Sequence, residues 1–163
     1  MDKSKETASY VSILRHSLEK KLNLLDAIVK ENENQLDVLR DVNALPEELE
    51  HTVDRKADLI DEISSLDEGF EEVFSRVKSE ISGNKAAYKE DISVLQTLIR
   101  QISDRSAQIE AQELRNSEVA KDKFTYIKDQ VKKITKSQKA VNSYYQSMMK
   151  VNYVDPQFMD NKK

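Results

Sequence analysis

The first places to look for acid–base or metal chemistry in this sequence are its two histidines, His16 and His51, and its Asp and Glu residues, because cysteine is absent. A zinc site without thiolates would need histidines and carboxylates gathered at one point. His16 and His51 instead fall singly on segments of helical periodicity, with no HExxH pair, no glycine-rich phosphate loop and no strand–turn–helix to hold a nucleophile. Carboxylates spread along helical faces mainly keep those faces solvated. The pattern predicts two surface histidines, no catalysis, no cofactor and no metal.

The second candidate is a basic stretch: Lys121, Lys123, Lys128, Lys132, Lys133, Lys136, Lys139 and Lys150, opposed only by Asp122 and Asp129. Lysines can neutralise phosphates. Against nucleic-acid binding, the stretch has no arginine, its aromatics are not interleaved with the lysines, and the overall pI is near 5.4. Membrane-surface binding is disfavoured as well, since the apolar side of the stretch is broken by Gln138 and lacks tryptophan, and no stable membrane insertion is expected. What remains is either a solvated face or a helix that favours an acidic helical partner.

The same stretch carries an apolar stripe at helical spacing: Phe124, Ile127, Val131, Ile134, Val141, Tyr144, Tyr145 and Met148. These are the candidate partner-binding residues. Beyond Lys150, Pro156 interrupts helical continuation in "VDPQF". Tyr153, Phe158 and Met159 could form a short docking tail, a flap over the stripe or a frayed end.

The elements that must position these residues are helical. Charged residues make up 34% of the 163-residue chain, and two glycines and two prolines leave almost no turn vocabulary. A first helix over about 4–41 carries Val11, Leu14, Leu18, Leu22, Leu25, Val29, Asn32, Leu36 and Leu39 at heptad spacing with one extra residue. Pro46 suits the first turn of a second helix, about 46–82, whose apolar row includes Leu49, Val53, Ile60, Ile63, Leu66, Phe70, Phe74 and Val77. Phe70 and Phe74 are expected in the core. Gly69 is expected where two helices approach closely; a break there, capped by Ser65 and Glu68, is the alternative. Gly83 could take a left-handed conformation, and Asn84 could cap a third helix free of glycine and proline from Lys85 to Lys150.

The expected fold is all-α: an elongated antiparallel bundle or coiled coil of three long helices, the third extending beyond the bundle. Residues 1–118 would form the bundle, with helices about 4–41, 46–82 and 84–118. Residues 119–150 would be a basic amphipathic extension, and 151–163 a flexible tail. Polar Glu113 and Asn116 would mark where the bundle's cover runs out, with a hinge near "RNSEVAKD" and a fold-back as a fourth helix the alternative. Net charge agrees with two roles: residues 1–114 carry −10 and residues 115–163 carry +6. No apolar signal segment or membrane span is visible, so a soluble cytoplasmic protein, monomer or homodimer, is expected.

The segments "KKLNLLDAIVKENENQLDVL" and "DRKADLIDEISSLDEGFEEVFSRV", followed by a long helix with a basic amphipathic end, resemble the FlgN family of flagellar export chaperones. The most distinctive pieces are Leu66-Asp67-Glu68-Gly69-Phe70 and the closing "YYQSMMKVNYVDPQFMDNKK". The resemblance implies a cytoplasmic protein that binds hook–filament junction proteins, prevents their premature assembly and delivers them to the export apparatus. It also implies that clients bind the C-terminal helical part, which here is the stripe from Phe124 to Met148. The competing expectation is a structural coiled-coil homodimer or scaffold that uses the same stripe as its seam.

Overall fold

The computed structural model describes the backbone of residues 3–151 and the side chains of residues 5–147. It contains three helices, α1 Lys3–Arg40, α2 Pro46–Gly83 and α3 Lys89–Val151, with no strand among the described residues. The all-α, three-helix expectation holds. By its contacts the chain divides into two units, one up to Ala120 and one from Lys121 onward.

Local chemistry sets the turns. After α1 the Asp41 carboxylate accepts the Asn43 N–H at 2.9 Å, and the Asp41 carbonyl accepts the Ala44 N–H at 3.3 Å. This is the Asx geometry that diverts a chain from helix. Pro46 then opens α2, where its missing N–H costs nothing. The Glu48 carboxylate accepts the Leu45 N–H at 3.0 Å. Leucine has no side-chain acceptor to return, so only half of a reciprocal cap forms. At the other end the Asn84 N–H donates to Ile81 O at 3.3 Å and closes α2. Gly83 is the last residue of α2 and does not have positive φ. Asn84 therefore ends α2 rather than starting α3, which begins four residues later than Lys85.

α1 is the helix the other two share. Val11, Leu14, Leu18, Leu25, Ile28, Leu36 and Leu39 are all buried, Leu14 completely. Each such side chain contributes on the order of 1.5–3 kcal/mol when it leaves water. On one flank α1 meets α2, through Glu31 with Arg55 at 3.1 Å and Tyr10 with Arg76 at 3.4 Å. That order of contacts makes the two antiparallel. On its other flank it meets α3, through Asp26 with Arg105 at 2.6 Å and, nearly two turns later, Asn32 with Gln112 at 3.2 Å. Those two helices run parallel. The ion pairs are half-exposed and worth about 0–1 kcal/mol each, so they fix register more than stability.

Three expectations change. The polar positions near Glu113 and Asn116 do not mark the end of the cover. Asn116 is 3% exposed and belongs to a buried hydrogen-bonded layer with Asn32, Gln35, Thr52, Lys56 and Gln112. Its Nδ2 donates to Asn32 O at 3.0 Å and to Gln35 Oε1 at 3.1 Å, and Gln35 Nε2 donates to Thr52 Oγ1 at 3.0 Å. Lys56 Nζ donates to Gln35 Oε1 and pairs with Glu113. Residues Arg115–Asp122 are helical throughout.

The second change concerns α2. Val53 and Ile60 are each 51% exposed and Phe74 is 39% exposed, so these three lie outside the core, whereas Val77 of the same row is buried. Phe70, half-buried, stacks on Phe74 with centroids 5.9 Å apart. Third, α2 runs straight through Gly69, and a Cβ built there meets nothing within 4 Å. The glycine is tolerated, but no helix approaches it closely.

Two substitutions test this packing by urea unfolding followed by circular dichroism. Leu14→Ala is expected to lower stability by about 2–5 kcal/mol, because nothing can collapse into a site closed on all sides. Gly69→Ala is expected to raise it by about 0.5–1 kcal/mol, since an exposed helix interior gains propensity without a clash. A neutral or destabilising alanine at position 69 would mean that the glycine is needed there.

Candidate partner-binding site

The unit that begins at Lys121 presents the apolar stripe to solvent. Phe124 is 62% exposed, Ile127 45%, Val131 55%, Ile134 68%, Val141 55% and Tyr144 68%. Tyr145 is half-buried. Met148 lies on α3 but its side chain is outside the described residues, as are Tyr153, Phe158 and Met159. The structure therefore gathers Phe124, Ile127, Val131, Ile134 and Val141 on one helical face, at steps of three or four that keep side chains aligned at 3.6 residues per turn. Gln138, in the same row, donates to Asn142 Oδ1 at 3.3 Å and is the face's polar interruption.

Tyr126, 64% exposed, is a further exposed aromatic that the stripe did not include. It precedes Tyr144 by eighteen residues, which is five full helical turns, so the two tyrosines share a row beside the main face. That interval was available in the sequence. It is masked there because Tyr144 adjoins Tyr145 and reads as part of the stripe.

Charge surrounds the face asymmetrically. Lys121, Lys128, Lys132 and Lys139 run along the edge next to Phe124 and Val131 by the 100° step of the helix. Lys128, Lys132, Lys133, Lys136 and Lys139 form no ion pair among the described residues, so their charge is available to a partner. Arginine, which would favour bidentate phosphate contacts, is absent from this stretch.

The groups singled out for catalysis stand elsewhere. His16 is exposed, and its Nδ1 lies 2.7 Å from Ser12 O within its own helix; His51 is exposed on α2. No three His, Cys, Asp or Glu side chains come together to hold a metal ion among the described residues. No described helix is long and apolar enough to cross a membrane. The Arg76 guanidinium has its pKa raised, first by its hydrogen bond to Tyr10 and then by the nearby charges of Tyr10 and Glu72; it joins α1 to α2. What this arrangement can do is bury apolar surface against another chain under a positive field.

A solvent-facing stripe should carry little folding energy. Val131→Ala and Ile134→Ala are each expected to shift the unfolding free energy of the isolated chain by no more than about 0.5 kcal/mol beyond the helix-propensity gain. A loss of several kcal/mol in urea unfolding would place these residues in a core and remove the site.

The family model described as "FlgN protein" matches residues 10–150, a span that contains nearly all of the three helices and the whole exposed face from Phe124 to Val141. No curated protein and no solved structure matches the chain.

Proposed function

The chain belongs to the FlgN family of flagellar export chaperones, and from that premise we propose that it binds hook–filament junction proteins in the cytoplasm through the α3 face of Phe124, Ile127, Val131, Ile134, Val141, Tyr144, Tyr145 and Met148. Covering the sticky terminal helices of those clients prevents their premature assembly and holds them for delivery to the export apparatus.

The observation that carries this reading is the exposure of five large aliphatic and aromatic side chains on one face of a single helix. Water-exposed helices of soluble proteins rarely gather such a row without a partner for it. Burying each of these residues against a client helix is worth roughly 1.5–3 kcal/mol gross, enough for micromolar affinity after the cost of association. The mode is a helix packed on an apolar helical face, with the lysine edge steering acidic segments of the client into register. Met148 and Met149 would let the end of the face adapt to more than one client, since thioether side chains repack easily. The tail residues Tyr153, Phe158 and Met159 are proposed as a further contact, for the export machinery.

The heptad rhythm of the same face also suits a dimer seam in a structural coiled coil. Titration calorimetry with a purified junction protein separates the two readings. The double variant Phe124→Ala/Val131→Ala is expected to weaken client binding by at least about tenfold, or about 1.4 kcal/mol. Undiminished binding would mean that clients are held elsewhere on the chain.

A further inference from the structure

The first unit holds an apolar surface that the client face does not explain. Lys56 of α2 pairs with Glu113 of α3 and marks the flank of α2 that faces α3, and Asp67 on the same flank reaches Lys21 of α1 at 2.7 Å. Along that flank, every seventh residue of α2 reads Val53, Ile60, Asp67 and Phe74. Counting back in sevens from Glu113, the facing flank of α3 reads Ser106, Ile99 and Ile92. In a closed three-helix bundle these rows would meet and bury one another. Here Val53, Ile60 and Ile99 are each about half-exposed and Phe74 is 39% exposed. α2 and α3 thus close over α1 but leave an open groove between their outer flanks. A cleft lined by Leu39, Leu49, Val53, Ser117 and Ala120 continues it at the end of α1.

Charge indicates what fits. α2 carries twelve Asp and Glu against four Lys and Arg, a net charge of −8. By the 100° step of the helix, exposed Glu68 and Glu71 on α2 and Glu110 on α3 fall beside these rows. The complementary object is a basic helix with one apolar face, and this chain contains one: residues 121–147 carry seven lysines against two aspartates, beside the Phe124–Val141 stripe. Lengths agree as well. Phe124 to Val141 spans about 26 Å of helix, and Val53 to Phe74 about 32 Å.

We propose that the Phe124–Val141 face of one copy of this chain docks in the α2/α3 groove of a second copy, as a fourth helix supplied in trans. Docking within one chain would require α3 to break, and neither glycine nor proline stands between Lys85 and Lys150 to permit it. The second copy needs no such break. When no client is present the two copies cover each other's apolar faces, and a client displaces the partner. That displacement, though not the docking itself, rests on the reading of the same face as the client site.

The absence of cysteine makes the test direct, because each introduced thiol is the only one in its chain. Full-length chains bearing either Phe74→Cys or Ile127→Cys are mixed under mild oxidation. The expected product is the disulfide between unlike copies, in excess of either like pair. Predominant pairing of Ile127→Cys with itself would overturn the proposal in favour of a stripe-to-stripe coiled coil. A chain carrying both substitutions that closes internally and stays monomeric would overturn it in favour of docking within one chain.

Sedimentation velocity of the unmodified chain, from low to high micromolar concentration, is expected to show a reversible dimer that weakens with salt; a monomer throughout would overturn it. The charge reversals Glu68→Lys/Glu71→Lys, on exposed positions that leave the fold intact, are expected to weaken the dimer at least about tenfold and to strengthen client binding. If the dimer weakens and client affinity does not change, the docking stands and the client reading of the face fails. If Phe124→Ala/Val131→Ala abolishes client binding in a chain that never dimerises, the client reading stands and the docking fails.

Discussion

Leu14, Leu18, Leu25 and Ile28 are withdrawn from water by two helices at once, each closing over a different flank of α1. The rest of the molecule depends on that shared burial. A chain with only 38% hydrophobic residues cannot furnish three equally apolar helices. It concentrates burial on one and leaves the other two with broad wet surfaces. α2 contributes only Val77 and the polar pair Thr52 and Lys56 as buried positions. The half-exposed row on α2 and the exposed face after Lys121 follow from the same economy.

The buried polar layer has a different role. Asn32, Gln35, Thr52, Lys56, Gln112 and Asn116 satisfy most of one another's hydrogen bonds, but Asn32 Oδ1 has no partner. An unmatched buried acceptor costs roughly 1–3 kcal/mol, so an apolar layer would hold the helices at least as firmly. What the layer supplies is uniqueness of register. Sliding α3 by one turn along α1 would strand Asn116 and Gln112 among leucines, whereas a uniform leucine seam would tolerate the slip.

The number, type and order of the helices were legible because periodicity and punctuation coincide: the heptad row of α1, Pro46 at the start of α2, and Gly83-Asn84 at its end. The residues of α1 that are buried are nearly those its spacing marks, with Ile28 added beside Val29 because two neighbours widen the covered arc. The α2 row was misjudged for a matching reason. Periodicity shows which side chains align but not how many helices cover them, and Val53, Ile60 and Phe74 lie just outside the strip that α1 reaches. Asn116 was misread because polarity in a seam suggests exposure, while its partners Asn32 and Gln35 lie more than eighty residues earlier and share no local signal with it. For the exposed face, spacing identified the aligned residues from Phe124 to Val141. Tyr126 escaped because its alignment with Tyr144 spans five turns.

The separation of Asn32 from Gln112, eighty residues along the chain, also has a consequence in time. α1 and α2 are neighbours joined by the short turn at Asp41–Leu45, so they can pair as soon as both have been synthesised. The hydrogen bonds of the polar layer must wait until Gln112 and Asn116 emerge. Phe124 and the apolar residues that follow it leave the ribosome later still. The order of translation thus presents the residues of the acidic body before those of the exposed Phe124–Val141 face.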